Sequence, residues 1–278
     1  MKINSETRLF GIIGYPIKHS LSPTLHSMLF KKYGLNFVYL AFEILPEKFN
    51  LIKDIILTLN IRGLNVTIPY KEKIIPYLDE IDKLARTIGS VNTIFNKDGK
   101  LIGYNTDIYG FTKSLKGVDI RDEEAILIGC GGVSNPIVVG LSELGVKKVY
   151  VYDIDSKKML KLKENFGTFV IPLKKENLDK VIKDVKVVIN ATPLGMKEGD
   201  TTPINLEVLN KNHIVYDVIY NRETELVKHA KKIGCKNVFD GVEMFIYQAE
   251  QAFFIWTGIK PNTSFMMKLV CRLLNKKD

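Results

Sequence analysis

The sequence predicts a two-domain α/β protein, and three observations support this prediction. Predicted strands and helices alternate along most of the chain, which indicates a mostly parallel sheet. With 278 residues the chain is long enough for two domains that each bury a core. Near its middle an apolar strand runs into a glycine-rich turn and then a helix, which is typical of a doubly wound sheet.

The composition is that of an ordinary globular protein, with 46% hydrophobic and 26% charged residues and a net charge of +9. The basic residues are mostly scattered lysines, whereas nucleic-acid surfaces more often cluster arginines, so we expect no nucleic-acid partner. We find no apolar run of membrane-helix length and no signal-peptide core, so we expect a cytoplasmic protein with no membrane partner. Cys130, Cys235 and Cys271 lie far apart and the histidines share no ligand-like spacing, which predicts no disulfide framework and no metal site.

The N-terminal elements begin with a buried strand over residues 8–14. Ser22 is a plausible helix N-cap, with Pro23 at the first helical position. A second strand over 37–44 and a helix near 46–59 follow. This order continues the alternation of a parallel sheet.

The stretch Leu64–Lys71 carries the most informative pattern of the first half. Its apolar residues alternate with Asn65 and Thr67, which predicts a strand with one apolar face that ends at Pro69. Lys71 then opens a helix. Asn65, Thr67 and Lys71 would therefore lie at the carboxyl end of a strand, where open α/β sheets bind ligands.

After Lys71 we expect a polar helical stretch to about Ile88, then strands over 89–95 and 101–104 joined as a hairpin by the turn 96–99. Asp107 follows the hairpin and precedes a helix, where it could act simply as an N-cap.

The second half opens with a dinucleotide-binding fingerprint. The apolar strand 125–128 leads into the turn 129–134, an apolar helix and a second strand over 148–152. Asp153 follows that strand, about 20 residues past the turn, where an acidic residue meets a ribose. Glycines let backbone N–H groups approach a pyrophosphate, and the helix N-terminus favours its charge.

Further strands are predicted over 185–190, 213–218 and 237–240. A helix with an apolar stripe from Val242 to Trp256 follows, and Gln248 lies at the edge of that stripe, where it could also be a solvated residue. A last helix spans 265–274.

Eight ordered segments resemble the shikimate dehydrogenase family across nearly the whole chain. They are G-Y-P-I-K-H-S-L-S-P at 14–23, N-V-T-I-P-Y-K at 65–71, G-S-V-N-T at 89–93, N-T-D at 105–107, G-C-G-G-V-S at 129–134, N-A-T-P-L-G-M at 190–196, D-V-I-Y-N at 217–221 and G-V-E-M-F-I-Y-Q at 241–248.

The resemblance implies an N-terminal substrate domain over residues 1–110, completed by C-terminal helices over 243–278. A Rossmann NAD(P)-binding domain over 111–242 would lie between them in the chain, and a deep cleft would separate the domains. It also implies reversible hydride transfer between a nicotinamide cofactor and shikimate, which gives 3-dehydroshikimate on the route to aromatic amino acids.

The resemblance assigns roles to individual residues. Ser20 and Ser22 match a hydroxyl pair that binds the substrate carboxylate, and Lys71 matches the catalytic lysine, with Asp107 as its partner. The other residues expected at the substrate are Asn65, Thr67, Asn92, Asp107, Tyr220 and Gln248. Those expected at the cofactor are Gly129, Cys130, Gly131, Gly132, Val133, Asp153, Val218 and Gly241.

The role of Lys71 is chemically reasonable, because hydride can leave an alcohol carbon only if the hydroxyl proton leaves too. A free lysine is mostly protonated at neutral pH, and burial would lower its pKa, whereas Asp107 would oppose that change but fix the position of the amine.

One segment departs from the family pattern. Members that use NADP typically carry an Asn-Arg-Thr-like run after the second Rossmann strand, whereas this chain has Asp153-Ile154-Asp155. An acidic residue there binds a ribose hydroxyl and repels a 2′-phosphate, although Lys157 and Lys158 could partly compensate. The cofactor is therefore NADP by family habit or NAD by local chemistry, and the local chemistry favours NAD.

Two alternative functions remain open at this point. The serine pair would fit quinate as well as shikimate, so a quinate/shikimate dehydrogenase of broader specificity is possible. A dinucleotide-binding regulatory protein without catalysis is the other alternative, and the presence of Lys71 and Asp107 argues against it. The sequence does not distinguish a monomer from a homodimer.

Overall fold

The computed structural model describes residues 3–18 and 20–275; His19 lies outside these ranges. The chain divides into two compact units. The first runs to Thr106 and resumes at Ile246, and the second comprises Asp107–Phe245. Each unit is built around one six-stranded sheet, as expected for the predicted α/β class.

The first unit contains the strands β1 (Arg8–Gly14), β2 (Phe37–Glu43), β3 (Ile61–Val66), β4 (Glu80–Ile81), β5 (Thr93–Lys97) and β6 (Lys100–Tyr104), and the helices α1 (Ser22–Lys32), α2 (Ile52–Thr58) and α3 (Lys83–Ile88). The strand order is β2-β1-β3-β5-β6-β4. Strands β2, β1 and β3 are parallel, whereas β5 is antiparallel to both β3 and β6. The predicted hairpin over 96–99 is confirmed, with both Asp98 and Gly99 at positive φ.

The second unit contains the strands β7 (Glu124–Ile128), β8 (Lys148–Tyr152), β9 (Val170–Pro172), β10 (Val187–Asn190), β11 (Ile214–Asp217) and β12 (Asn237–Phe239). Its helices are α4 (Asp107–Ser114), α5 (Ser134–Glu143), α6 (Ser156–Phe166), α7 (Leu178–Asp184) and α8 (Glu225–Lys232). The strands are all parallel in the order β12-β11-β10-β7-β8-β9. This is the doubly wound Rossmann order, with a switch point between β7 and β10.

The helix α9 (Val242–Thr257) begins in the second unit and continues into the first, which is completed by α10 (Thr263–Leu273). Trp256 of α9 donates from its indole N–H to the carbonyl of Ile94 at 2.9 Å. It also packs against Phe10, with ring centroids 5.5 Å apart. These contacts attach α9 to one face of the first sheet. No helix within the described residues is long and apolar enough to cross a membrane.

The sheet of the second unit is covered on both faces. In the second unit, Ala125 and Leu127 pack in one apolar cluster, whereas Ile126 and Ile128 pack in another. This arrangement confirms the prediction that the uninterrupted apolar run 125–128 is a strand buried on both sides.

The helix expected near 46–59 is confirmed as a 3₁₀ segment (Pro46–Leu51) that continues directly into α2. Two other predictions of secondary structure in this region are wrong. The strand expected to reach Pro69 ends at Val66. The helical stretch expected to continue from Lys71 is a series of turns, a 3₁₀ turn (Ile75–Tyr77), the short β4 and then α3.

Candidate active site

The carboxyl end of β3 carries three of the predicted site residues. Leu64 and Val66 pack into the apolar core, so Asn65 points to the opposite face of the sheet. Asn65 is only 5% exposed. The polar face of this strand is therefore buried, whereas that of a half-exposed edge strand would be solvated. Thr67 follows the strand, and its N–H donates to the carbonyl of Ile13 at 2.9 Å.

Lys71 lies in the turn beyond this strand end, where its side chain is partly exposed. Its backbone carbonyl accepts a hydrogen bond from the N–H of Val91 at 2.8 Å, one residue before Asn92. The turn that carries Lys71 is therefore fixed to the segment that carries Asn92, both within the first unit.

Asn65 is fixed by hydrogen bonds to residues on both sides of β3, from β2 and from the start of β5. The Tyr39 hydroxyl on β2 donates to Asn65 Oδ1 at 2.6 Å. On the other side, Asn65 Nδ2 donates to the carbonyl of Asn92 at 3.3 Å and to Thr93 Oγ1 at 3.1 Å. Because a carbonyl can only accept, these bonds determine which way the amide of Asn65 points.

Asn92 continues this network. Its Oδ1 accepts from the N–H of Thr106 at 2.8 Å and from Thr93 Oγ1 at 2.9 Å, while its Nδ2 donates to Thr106 Oγ1 at 3.1 Å. Thr106 Oγ1 also lies 3.5 Å from Gln248 Oε1 on α9. Gln248 is therefore half-buried and connected through Thr106 to Asn92, rather than freely solvated.

Ser22 lies near this network, on α1. The prediction that Ser22 is an N-cap is wrong, because the helix begins at Ser22 itself after Leu21, which makes no side-chain cap. The Ser22 hydroxyl lies close enough to Tyr39 to lower the pKa of that residue, against the larger raising effect of burial. The N–H of Ser22 donates to Ser20 Oγ at 3.2 Å. The two serines of the predicted carboxylate site are therefore adjacent.

Tyr39, Thr93 and Thr106 were not identified from the sequence, yet their hydrogen bonds hold or connect Asn65, Asn92 and Gln248. Thr93 and Thr106 lie within two of the recognised motifs, so motif membership was the available signal. Tyr39 lies outside those motifs; only its position on a predicted strand next to the first one pointed to it.

His26 packs beneath Tyr39, with stacked ring centroids 4.7 Å apart. Complete burial lowers the pKa of His26 to about 3, so the ring is neutral near pH 7. Neither ring nitrogen has a hydrogen-bond partner among the described residues. His26 therefore acts as an aromatic packing residue that supports the ring of Tyr39.

Asp107 is the first residue of α4 and the first residue of the second unit. Its side chain is 6% exposed. Just before it, Asn105 Nδ2 donates to the carbonyl of Ser90 at 3.0 Å. This bond fixes the chain that leads to Asp107 on the first unit.

The glycine turn of the second unit has the backbone geometry that its fingerprint predicts. Gly129 has φ +97°, and a Cβ there would lie 2.8 Å from the backbone of Ala191, so only glycine fits. Gly131 and Gly132 are exposed, and no atom lies within 4 Å of the position a Gly131 Cβ would take. The turn ends at α5, where Val133 precedes Ser134, whose N–H donates to the carbonyl of Gly131 at 3.0 Å. This open turn at a helix N-terminus is suited to an anionic pyrophosphate.

Asp153 lies directly after β8 and is bound to this turn. Its Oδ2 accepts from the N–H of Cys130 at 2.7 Å, and its Oδ1 accepts from the N–H of Asp155 at 2.8 Å. Ile154 is 95% exposed. Burial raises the pKa of the Cys130 thiol to about 12, so this thiol is unreactive near neutral pH.

The remaining predicted residues follow β11. A Cβ on Gly241 would lie 2.1 Å from the carbonyl oxygen of Val218, so this position also requires glycine. The Gly241 N–H donates to the carbonyl of Ile219 at 3.1 Å. Tyr220 stacks on Phe245, with ring centroids 4.8 Å apart, and burial raises the pKa of its hydroxyl.

Three models of one protein family match successive parts of the chain. Residues 12–94 match the shikimate dehydrogenase substrate binding domain, residues 112–197 match shikimate / quinate 5-dehydrogenase, and residues 241–271 match the shikimate 5′-dehydrogenase C-terminal domain.

Curated relatives match nearly the full length of the chain. The shikimate dehydrogenase (NADP(+)) of Aquifex aeolicus is 42% identical over 258 residues, covering 92% of this chain and 93% of the relative. That of Methanocaldococcus jannaschii is 41% identical over 285 residues, covering 99% of this chain and all of the relative.

Solved structures give the same result. Aquifex aeolicus shikimate dehydrogenase superposes with a TM-score of 0.91 at 38% identity, covering 98% of this chain and all of that chain. A Listeria monocytogenes shikimate 5-dehydrogenase in complex with shikimate and NAD has a TM-score of 0.87 at 34% identity. The match covers 97% of this chain and 98% of that chain. A Corynebacterium glutamicum quinate dehydrogenase in complex with NAD has a TM-score of 0.88 at 32% identity. The match covers 94% of this chain and 98% of that chain.

Proposed function

The chain belongs to the shikimate dehydrogenase family, and we propose that it catalyses the reversible oxidation of shikimate to 3-dehydroshikimate with a nicotinamide dinucleotide. The observation that carries this proposal is the match of the chain, over nearly its full length, to shikimate dehydrogenases. In biosynthesis the ketone would be reduced, on the route to aromatic amino acids.

We assign the substrate carboxylate to Ser20 and Ser22, and the ring hydroxyls to Asn65, Thr67, Asn92 and Gln248, with Tyr220 and Asp107 as further substrate contacts. Support comes from the network in the first unit, which connects Asn65, Asn92 and Gln248 through buried and partly buried hydrogen bonds. Groups held in fixed orientations can bind a small polar acid with little loss of side-chain entropy.

Lys71 is our candidate for proton transfer. Oxidation of an alcohol releases hydride from carbon and a proton from oxygen, so an amine close to that oxygen can accept the proton and return it in the reverse reaction. Asp107 would bind the substrate hydroxyls and orient the proton transfer. Its burial favours such a role, because a carboxylate removed from water binds polar hydrogens strongly.

The dinucleotide supplies the hydride acceptor when it is bound. Residues 129–133 would hold its pyrophosphate, Asp153 its adenosine ribose, and Val218 and Gly241 its nicotinamide half. We propose that NAD is used at least as efficiently as NADP, because the carboxylate of Asp153 repels a 2′-phosphate. The relatives named above as NADP(+) enzymes favour the opposite choice.

Quinate is the second candidate substrate, favoured by the structural likeness to a quinate dehydrogenase. Initial rates of nicotinamide reduction with shikimate and with quinate, each tested with NAD and with NADP, distinguish these possibilities. We expect the highest kcat/KM for shikimate and comparable or better use of NAD. A strong NADP preference would refute the role given to Asp153, and the absence of turnover with either acid would refute the proposed function.

A further inference from the structure

Asp217 is a fully buried carboxylate that none of the proposed roles uses. It ends β11, and its side chain has no exposed surface. Its Oδ1 accepts from Asn190 Nδ2 at 3.0 Å and from the N–H of Ile219 at 3.1 Å. Its Oδ2 accepts from the Thr224 hydroxyl at 2.7 Å. The loops after β10 and β11 and the start of α8 are therefore all connected to one carboxylate.

These three partners are neutral, and Asp217 takes part in no ion pair within the described ranges. Burial, together with the nearby Asp240, raises the pKa of Asp217 to about 6. The group therefore remains mainly ionised above pH 7. A buried charge without a counter-ion costs stability, whereas asparagine could make comparable hydrogen bonds without that cost. A loop anchor alone does not explain why the residue is charged.

The sheet topology shows which part of a dinucleotide would lie near this charge. In a doubly wound sheet a dinucleotide lies across the carboxyl ends of the strands, with its pyrophosphate at the switch point. The glycine turn follows β7, and Asp153, the ribose-binding position, follows β8 on one side. The other half of the dinucleotide must then extend over β10 and β11, where Asp217 ends a strand. Asp217 also fixes the backbone of Ile219, next to Val218.

We propose that Asp217 provides a buried negative charge to the nicotinamide half of the site, where it favours the oxidised, positively charged ring over the reduced, neutral ring. This inference rests on the proposed function, because it requires the nicotinamide to bind over β10 and β11. Charges interact strongly where water is excluded. The carboxylate can therefore favour the charged ring over the neutral ring without touching it.

The test is equilibrium binding of oxidised and reduced NAD, and of oxidised and reduced NADP, to the full chain at about pH 8. Asp217→Asn removes the charge and keeps the size of the side chain. Thr224→Val removes the hydrogen bond to Asp217 and the cap bond that Thr224 Oγ1 accepts from the N–H of Val227, but it keeps the carboxylate, so it is a control for the loop contacts. Nicotinamide fluorescence and calorimetry report the dissociation constants without turnover.

We expect Asp217→Asn to weaken binding of the oxidised form about tenfold and to change binding of the reduced form by less than about twofold. Thr224→Val should change both forms by the same factor. Equal effects of Asp217→Asn on both forms, or no effect, would overturn the proposal. If Asp217→Asn does not fold, Asp217→Ser carries the same test, because it is also neutral and leaves room for a water. Failure of the unmodified protein to bind any dinucleotide would instead contradict the proposed function and the inference together.

Discussion

Lys71 is the residue on which the proposed chemistry depends. Replacing it with alanine should lower kcat by at least about a hundredfold, the typical contribution of general acid–base catalysis. The KM for shikimate should change by less than about threefold, because the carboxylate and hydroxyl contacts of the substrate are assigned to other residues. Lys73→Ala is the matched control, since Lys73 is an exposed lysine two residues further on. A kcat within about tenfold of the unmodified protein would remove Lys71 from the chemistry.

Asp153 provides a second test at the scale of single residues. Asp153→Asn removes the negative charge and leaves one oxygen, which can accept the Cys130 N–H while the bond from the Asp155 N–H is lost. We expect the ratio of kcat/KM for NADP to kcat/KM for NAD to rise about tenfold, because the repulsion of the 2′-phosphate is lost. Asp155→Asn, which changes an exposed carboxylate two residues further on, should shift this ratio less. An unchanged ratio in Asp153→Asn would show that this carboxylate does not select the cofactor.

Residue types with special backbone or chemical requirements were the most predictable. Gly129 and Gly241 occupy positions where a Cβ would collide with backbone atoms, and both were identified from their motifs. Ser22 was also identified, but with a structural role that is wrong, since it does not cap α1. A hydroxyl at the start of a helix looks the same in sequence whether it caps the helix or faces a distant strand. Only tertiary packing brings Ser22 to Tyr39.

At the scale of elements, the hydrogen bonds of Tyr39 connect β2 to β3. Tyr39→Phe would leave Asn65 Oδ1 without this donor in a buried site, which should cost about 1–3 kcal/mol of unfolding free energy. It should also raise the KM for shikimate severalfold, because Asn65 loses the bond that fixes its orientation. Denaturant unfolding and initial rates measure the two effects.

Tyr216→Phe is the control for this prediction. Tyr216 is also a buried tyrosine, and its hydroxyl lies 2.8 Å from Ser114 Oγ in the second unit. Its loss should lower stability by a similar amount while the KM for shikimate stays constant. If both variants raise that KM equally, the effect belongs to general destabilisation and not to the Tyr39 network.

Strands with strong patterns were predicted more accurately than short irregular elements. The apolar run 125–128 and the strand 148–152 agree with β7 and β8 because burial on both faces leaves a clear sequence signal. The region from Lys71 to Ile88 was predicted as helix, but it contains turns, the two-residue β4 and a single short helix. Each of these elements is too short to show a periodicity of its own, and β4 forms only by pairing with β6.

At the scale of the whole molecule, the free energy of unfolding should change with pH in a way that reports the raised pKa of Asp217. Its pKa is raised to about 6 from an ordinary value of 3.8, so between these values the folded protein binds more protons than the unfolded chain. The contribution of Asp217 to the free energy of unfolding is therefore fully present below about pH 4 and is lost as the pH rises through about 6.

Other carboxylates have the opposite effect, since hydrogen bonds lower the pKa values of Asp79 and Asp200. The informative quantity is thus the difference in unfolding free energy between the unmodified protein and Asp217→Asn, measured by denaturant unfolding from pH 4 to pH 7. We expect this difference to move in favour of the variant as the pH rises. A difference independent of pH would contradict the raised pKa.

The α/β class and the Rossmann sheet of the second unit followed from the alternation of elements and from one fingerprint, because both features are local in sequence. The strand order of the first sheet could not be predicted in this way, since β5 pairs with β3 across the segment that carries Lys71. The substrate roles of Ser20, Lys71 and Asp107 came from the family resemblance and remain proposals.

The most direct test of the central claim is hydride transfer from shikimate labelled with deuterium at the carbon that is oxidised. We predict that the deuterium appears on the nicotinamide ring of the reduced cofactor and that 3-dehydroshikimate forms in equal amount. Binding of both ligands without transfer of the label, or a reduced cofactor that carries no deuterium, would contradict the account.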